Sequence, residues 1–146
     1  MMILFLAVFG FSLFDYFGYN LSERGSWLKV YRVLQVIVQI GIIYLLISNE
    51  LILDAVLFVL LWWTWVCDWL YYVIDMLSQK LFNKSFEGGQ SLQNVISGKT
   101  EVSWAWWTIL GLFKMIKTGK KEVFYNDELI IQAGLGIIVT VILKLI

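Results

Sequence analysis

The amino-acid sequence predicts an all-α membrane protein. Its expected fold is a bundle of four transmembrane helices over residues 1–19, 30–49, 51–77 and 128–146, with one in-plane amphipathic helix over 103–121. Three observations predict it. Hydrophobic residues make up 60% of the chain, where a soluble domain holds roughly half. Apolar runs long enough for a ~30 Å hydrocarbon layer recur along the sequence. The basic residues gather in the segments that this topology leaves on a single side of the bilayer. The whole chain, 1–146, is expected to form a single integral membrane domain, with 78–127 as an inner-side loop and interfacial helix.

The first run, 1–19, carries a single charge, Asp15, near its end. No basic region precedes it, so it reads as a retained span rather than a cleaved signal. Residues 20–26 (NLSERGS) form a polar turn with Gly25 as breaker. Trp27, Lys29, Tyr31 and Arg32 are interfacial anchors, and the uncharged run 33–49 follows as the second span. Ser48-Asn49-Glu50 is a tight connection that makes the second and third spans an antiparallel hairpin.

The third run, LILDAVLFVLLWWTWVCDWLYYVIDML, holds no Lys, Arg, Gly or Pro. As one helix it makes a rod of about 40 Å. At 100° per residue Asp54, Asp68 and Asp75 then fall within about 60° of one another, on a face shared with Phe58, Leu61, Trp65 and Tyr72. Ionised carboxylates cannot point at lipid, so that face must meet protein or water.

Residues 78–102 are the most polar stretch and read as a loop, with one helical turn around 92–96. Between 102 and 113 the chain is uncharged for about 18 Å of helix, too short to span. On a wheel Ser103, Lys114, Lys117 and Lys121 lie opposite Ala105, Ile109, Leu112 and Ile116, which predicts a helix lying in the membrane plane and ended by Gly119. Asn126, Asp127 and Glu128 suit the first turn of the last span. Four spans with both termini outside place ten basic residues inside, on the cytoplasmic or matrix side, and Lys144 alone outside; a fifth span would leave seven against four. The charge distribution favours four.

Several chemistries are disfavoured. The chain contains no His, a single Cys at position 67 and no Pro, which removes imidazole metal ligation, His-based triads and any CxxC site. No cofactor, metal site or catalytic activity is expected. Nucleic acid is an improbable partner at zero net charge.

The candidate site residues are polar groups of the spans. Arg32 and Asp68 each lie eighteen residues from Glu50, so a hairpin turning there sets them at equal depth. Arg32 is expected to meet Asp68, or Asp75 after a small shift. Such a pair either fixes helix register or forms a proton or cation site. Gln35 and Gln39 continue the Arg32 face and are expected to bond to the central helix near Trp65 and Leu61. Asp15 and Asp75 read chiefly as solvated helix ends. Lys114, Lys117, Lys120 and Lys121, beside Trp104, Trp106 and Trp107, are candidates for anionic lipid headgroups on the inner face. The leading functional expectation is a non-catalytic subunit that packs its acidic, aromatic face against other chains, hetero- or homo-oligomeric, of a larger membrane complex. The alternative is a small oligomeric ion or proton conductor with Asp68 on the path.

Overall fold

The computed structural model describes residues 2–23, 27–82, 101–102, 108–119 and 124–146. Six α-helices are found among them: α1 (Met2–Glu23), α2 (Leu28–Ser48), α3 (Ile52–Trp63), α4 (Val66–Phe82), α5 (Ile109–Thr118) and α6 (Asn126–Leu145). A two-residue antiparallel pairing of β1 (Glu101–Val102) with β2 (Phe124–Tyr125) joins the segments that flank α5. Three helices, α1, α2 and α6, are long and apolar enough to cross a membrane, and the bent pair α3–α4 makes a fourth when counted as one span.

The length and apolar character of α2 suit a helix in hydrocarbon. Its many Val and Ile residues are mediocre helix formers in water, but in hydrocarbon a helix satisfies every backbone group internally. Tyr31, Gln39 and Leu46 are its buried residues, while Val33, Leu34, Val36, Ile37 and Ile40 face outward. α1 buries Leu4, Val8, Phe11, Ser12, Asp15, Tyr16 and Asn20, a helical repeat whose upper half is apolar and whose lower half is polar. The apolar half shares one core cluster with Leu46 of α2, with Ala55, Leu57, Phe58 and Leu61 of α3 and with Ala133 of α6. Phe11 meets Phe58 edge-on at 5.9 Å.

The expected hairpin forms. Leu51 N–H donates to Leu46 O at 2.9 Å and Glu50 N–H to Ile47 O at 3.0 Å, a Schellman cap with Glu50 at φ 62°.

The straight third span does not form. The chain breaks after Trp63 and α4 leaves at 70° to α3. Trp65 takes φ 75°, a conformation that usually belongs to glycine at a helix end. Its N–H donates to Trp62 O at 3.2 Å, and the Thr64 hydroxyl donates to Leu61 O at 3.3 Å, so two carbonyls freed by the break are satisfied. A bulky residue in this region costs on the order of 1–3 kcal/mol and persists where its surroundings hold it. Trp65 is 0% exposed. Gly136 of α6 fits directly against the break: a Cβ there would collide with Thr64 Oγ1 and stand 2.8 Å from Thr64 Cβ. The bend also solves a length problem. Straight, residues 52–82 would reach about 46 Å; bent by 70°, they reach about 27 Å along the axis of α3, close to the hydrocarbon thickness.

The acidic face is therefore split. Asp54 and Asp75 meet different helices, and α4 continues five residues past the expected end at 77, to Phe82. α5 is shorter than the expected 103–121: Thr108 caps its start by accepting from Gly111 N–H at 3.3 Å, and Gly119 at φ 68° ends it as anticipated. Residues 83–100, 103–107 and 120–123 lie outside the described residues, and with them the helical turn at 92–96, Trp104, Trp106, Trp107, Lys120 and Lys121.

Candidate functional site: a polar cluster below the helix break

Below the break, α1 meets α2 on one side and α4 on the other through polar side chains. The polar half of α1 supplies Ser12, Asp15, Tyr16 and Asn20, spaced so that they share one face. α2 approaches at Gly18, where a Cβ would stand 2.5 Å from the Tyr31 ring, so glycine is what lets the ring lie on α1. From there the Tyr31 hydroxyl donates to Asp15 Oδ1. Gln35 Nε2 donates to the same oxygen at 2.6 Å. Gln35 Oε1 in turn accepts from Arg32 Nη1 at 2.9 Å. The guanidinium also stands 5.6 Å from the Tyr19 ring centre and 5.8 Å from that of Tyr31, within cation–π range. Arg32 is itself exposed, with a glutamine and two aromatic rings as its neighbours.

On the other side, Tyr16 donates its hydroxyl to Asp75 Oδ1 at 2.9 Å, across α1 and α4. Asn20 Nδ2 donates to the Tyr71 hydroxyl at 2.9 Å, and the Tyr16 and Tyr71 rings meet edge-on at 5.2 Å. Asp75 is 2% exposed and Asp15 7%. Both are buried inside the chain, not solvated at helix ends as the sequence suggested. Rings of Tyr and Asn, whose hydroxyls and amides donate, make that burial tolerable.

Asp68 differs from its neighbours. It stands in the first turn of α4, partly exposed, immediately after the break. It has no hydrogen bond or ion pair with another side chain among the described residues. The pairing expected between Arg32 and Asp68 or Asp75 is not made among the described residues: Gln35 accepts from the guanidinium, and Tyr16 donates to Asp75. Gln35 likewise bonds to α1 and not to the central helix. Gln39 is buried, with no partner for Nε2 among the described residues.

Two ion pairs lie outside the cluster. Lys144 Nζ of α6 contacts Asp54 Oδ1 of α3 at 2.7 Å, and Lys114 Nζ of α5 contacts Glu128 of α6 at 2.8 Å. Of the expected lipid-facing lysines, Lys114 is therefore engaged within the chain, while Lys117 is exposed. Sequence reasoning missed Tyr16, Asn20, Tyr71 and the Lys144–Asp54 contact. The spacing of Ser12, Asp15, Tyr16 and Asn20 on one face of α1 was the available signal for the first two.

Chemically, the cluster offers three carboxylates, one guanidinium and several hydroxyls. Among the described residues no group of three or more His, Cys, Asp or Glu is arranged to hold a metal ion. Comparison with protein-family models, curated proteins and solved structures found no match to this chain.

Proposed function

We propose that this chain is a non-catalytic, four-span integral membrane protein that binds and passes protons or small cations, with Asp68 as the exchanging carboxylate. The observation that carries the reading is the contrast among the aspartates. Asp15, Asp54 and Asp75 are each tied to a side-chain partner, whereas Asp68 has none among the described residues and sits at a break inside a span. Intramembrane carboxylates left without a partner are costly unless they are used. Broken spans, moreover, are where membrane proteins place their ion sites. In this arrangement the termini lie outside, the cluster faces the inner side, and α5 rests on the inner surface with Lys117 toward anionic headgroups.

The test is ion flux into liposomes holding the purified protein. Wild type is expected to pass protons or cations, and Asp68→Asn to abolish the flux; flux unchanged by Asp68→Asn refutes the assignment. A fixed-stoichiometry complex that conducts nothing would instead favour the membrane-subunit reading. Asp54 and Asp75 are already engaged within the chain, so such a subunit would dock through its apolar faces and not its acids.

A further inference from the structure

We infer that α5 is a re-entrant helix: its first turn stands inside the hydrocarbon, its last turn reaches the inner surface, and the side turned away from α6 lies against lipid acyl chains. This deepens the placement of α5 above and rests on the reading of the chain as membrane-spanning. Two contacts fix its direction. Leu110 N–H donates to Gln132 Oε1 at 2.6 Å, and Lys114 Nζ meets Glu128 at 2.8 Å. The partners are four residues apart on both helices and in opposite order, so α5 runs antiparallel beside α6 over that stretch. Glu128 opens the apolar stretch Glu128–Leu145. Gln132 is then about 6 Å inside it, and Leu110 stands at the same depth. The Leu110 side chain packs in one cluster with Trp65, at the helix break, and Leu129. β1 pairs with β2 immediately before α6 begins, so Val102 lies outside that boundary, Leu110 inside it, and Gly119, five residues beyond Lys114, outside again.

A helix that starts at this depth must find partners for its first N–H groups within the protein, since hydrocarbon offers none. α5 finds them in side chains. Thr108, 0% exposed, accepts from Gly111 N–H at 3.3 Å, and Gln132 accepts from Leu110. The lysines follow the same order. Lys114, level with the boundary, is paired, whereas Lys117, about 4.5 Å further out, is exposed. The face opposite the α6 contacts is apolar: Ile109, Leu112, Phe113 and Ile116 fall within about 100° of one another around the helix. Phe113 is 69% exposed and Ile116 80%. A face at i, i+3, i+4 and i+7 that looked into water would be polar. At this depth, beside a span, acyl chains cover it.

The experiment places an environment-sensitive fluorophore on Ile109→Cys, Ile116→Cys and, as a mid-span control, Ile138→Cys, each in a Cys67→Ser chain in phosphatidylcholine–phosphatidylglycerol vesicles. Nitroxides at graded acyl positions read depth, and iodide reads water. Ile109 and Ile116 share a face seven residues apart, so an upright α5 sets the first about 10 Å deeper than the second. Equal depths overturn the inference in favour of a helix lying flat in the membrane plane. Iodide quenching of both α5 labels with the Ile138→Cys label shielded places the stripe in water, and shielding of both from either quencher places it under protein. Each of those results overturns the inference and leaves the spans standing. Iodide quenching at Ile138→Cys as well overturns the membrane-spanning reading itself. Should Ile109→Cys fail to fold, Phe113→Cys takes its place, with an expected separation from Ile116→Cys of about 4.5 Å.

Discussion

Replacing Lys144 strands a carboxylate. Asp54 and Lys144 approach to 2.7 Å with side chains 7% and 16% exposed, so the contact is a largely desolvated ion pair between α3 and α6. Breaking a fully buried pair from one side costs about 3–5 kcal/mol, because the remaining charge has neither partner nor water. The two ends are not equivalent. Loss of the aspartate charge frees a long lysine stem whose ammonium can lift into the headgroup layer, so Asp54→Asn should cost on the order of 2 kcal/mol. Asp54 has no comparable reach, so Lys144→Met should cost about 3–4 kcal/mol. The double variant removes both charges and should be more stable than Lys144→Met alone. The assay is denaturation in mixed micelles, followed by tryptophan fluorescence, on the wild type, both single variants and the double variant. A Lys144→Met protein within roughly 0.5 kcal/mol of wild type, the range of ordinary surface changes, would refute the reasoning. So would strictly additive effects, since a contact of this kind must show coupling.

Two further outcomes follow from packing and hydrogen bonding. Gly136→Ala drives a methyl into Thr64 at the helix break and should destabilise the protein by about 1–3 kcal/mol; adding Thr64→Gly should recover most of the loss in the same denaturation assay. Tyr16→Phe removes the donor to buried Asp75 and should cost about 1–3 kcal/mol, an effect that Asp75→Asn in the same chain should partly cancel; full additivity would show that the two do not meet.

Hydropathy and turn chemistry made much of the fold readable in advance. The first, second and last of the long apolar helices lie where the apolar runs do, and each is long and apolar enough to cross a membrane. The turn at Asn49-Glu50 and the stop at Gly119 were equally legible from local signals. The break at Thr64-Trp65 was not. Nothing in LLWWTWVCD is a breaker by type; the tryptophan at φ 75° is fully buried, and the glycine of another helix lies against Thr64 beside it. Missing the break carried the site wrong as well. A straight helix put three aspartates in a single row and set Arg32 opposite Asp68 by counting residues. The actual partners were chosen by which polar side chains reach across: Tyr31 and Gln35 to Asp15, and Tyr16 to Asp75. Helix periodicity tells which face a residue shares; it does not tell which neighbour arrives there.

The oblique run of α4 has an electrical consequence. Asp68 and Asp75 are seven residues apart, about 10 Å along α4, but with α3 upright only about 4 Å of that lies along the membrane normal. A transmembrane potential acts on a charge at about 2.3 kcal/mol per 100 mV over the full thickness, so a step of this depth feels about 0.3 kcal/mol. Charge shifted between the two carboxylates would therefore be nearly invisible to voltage.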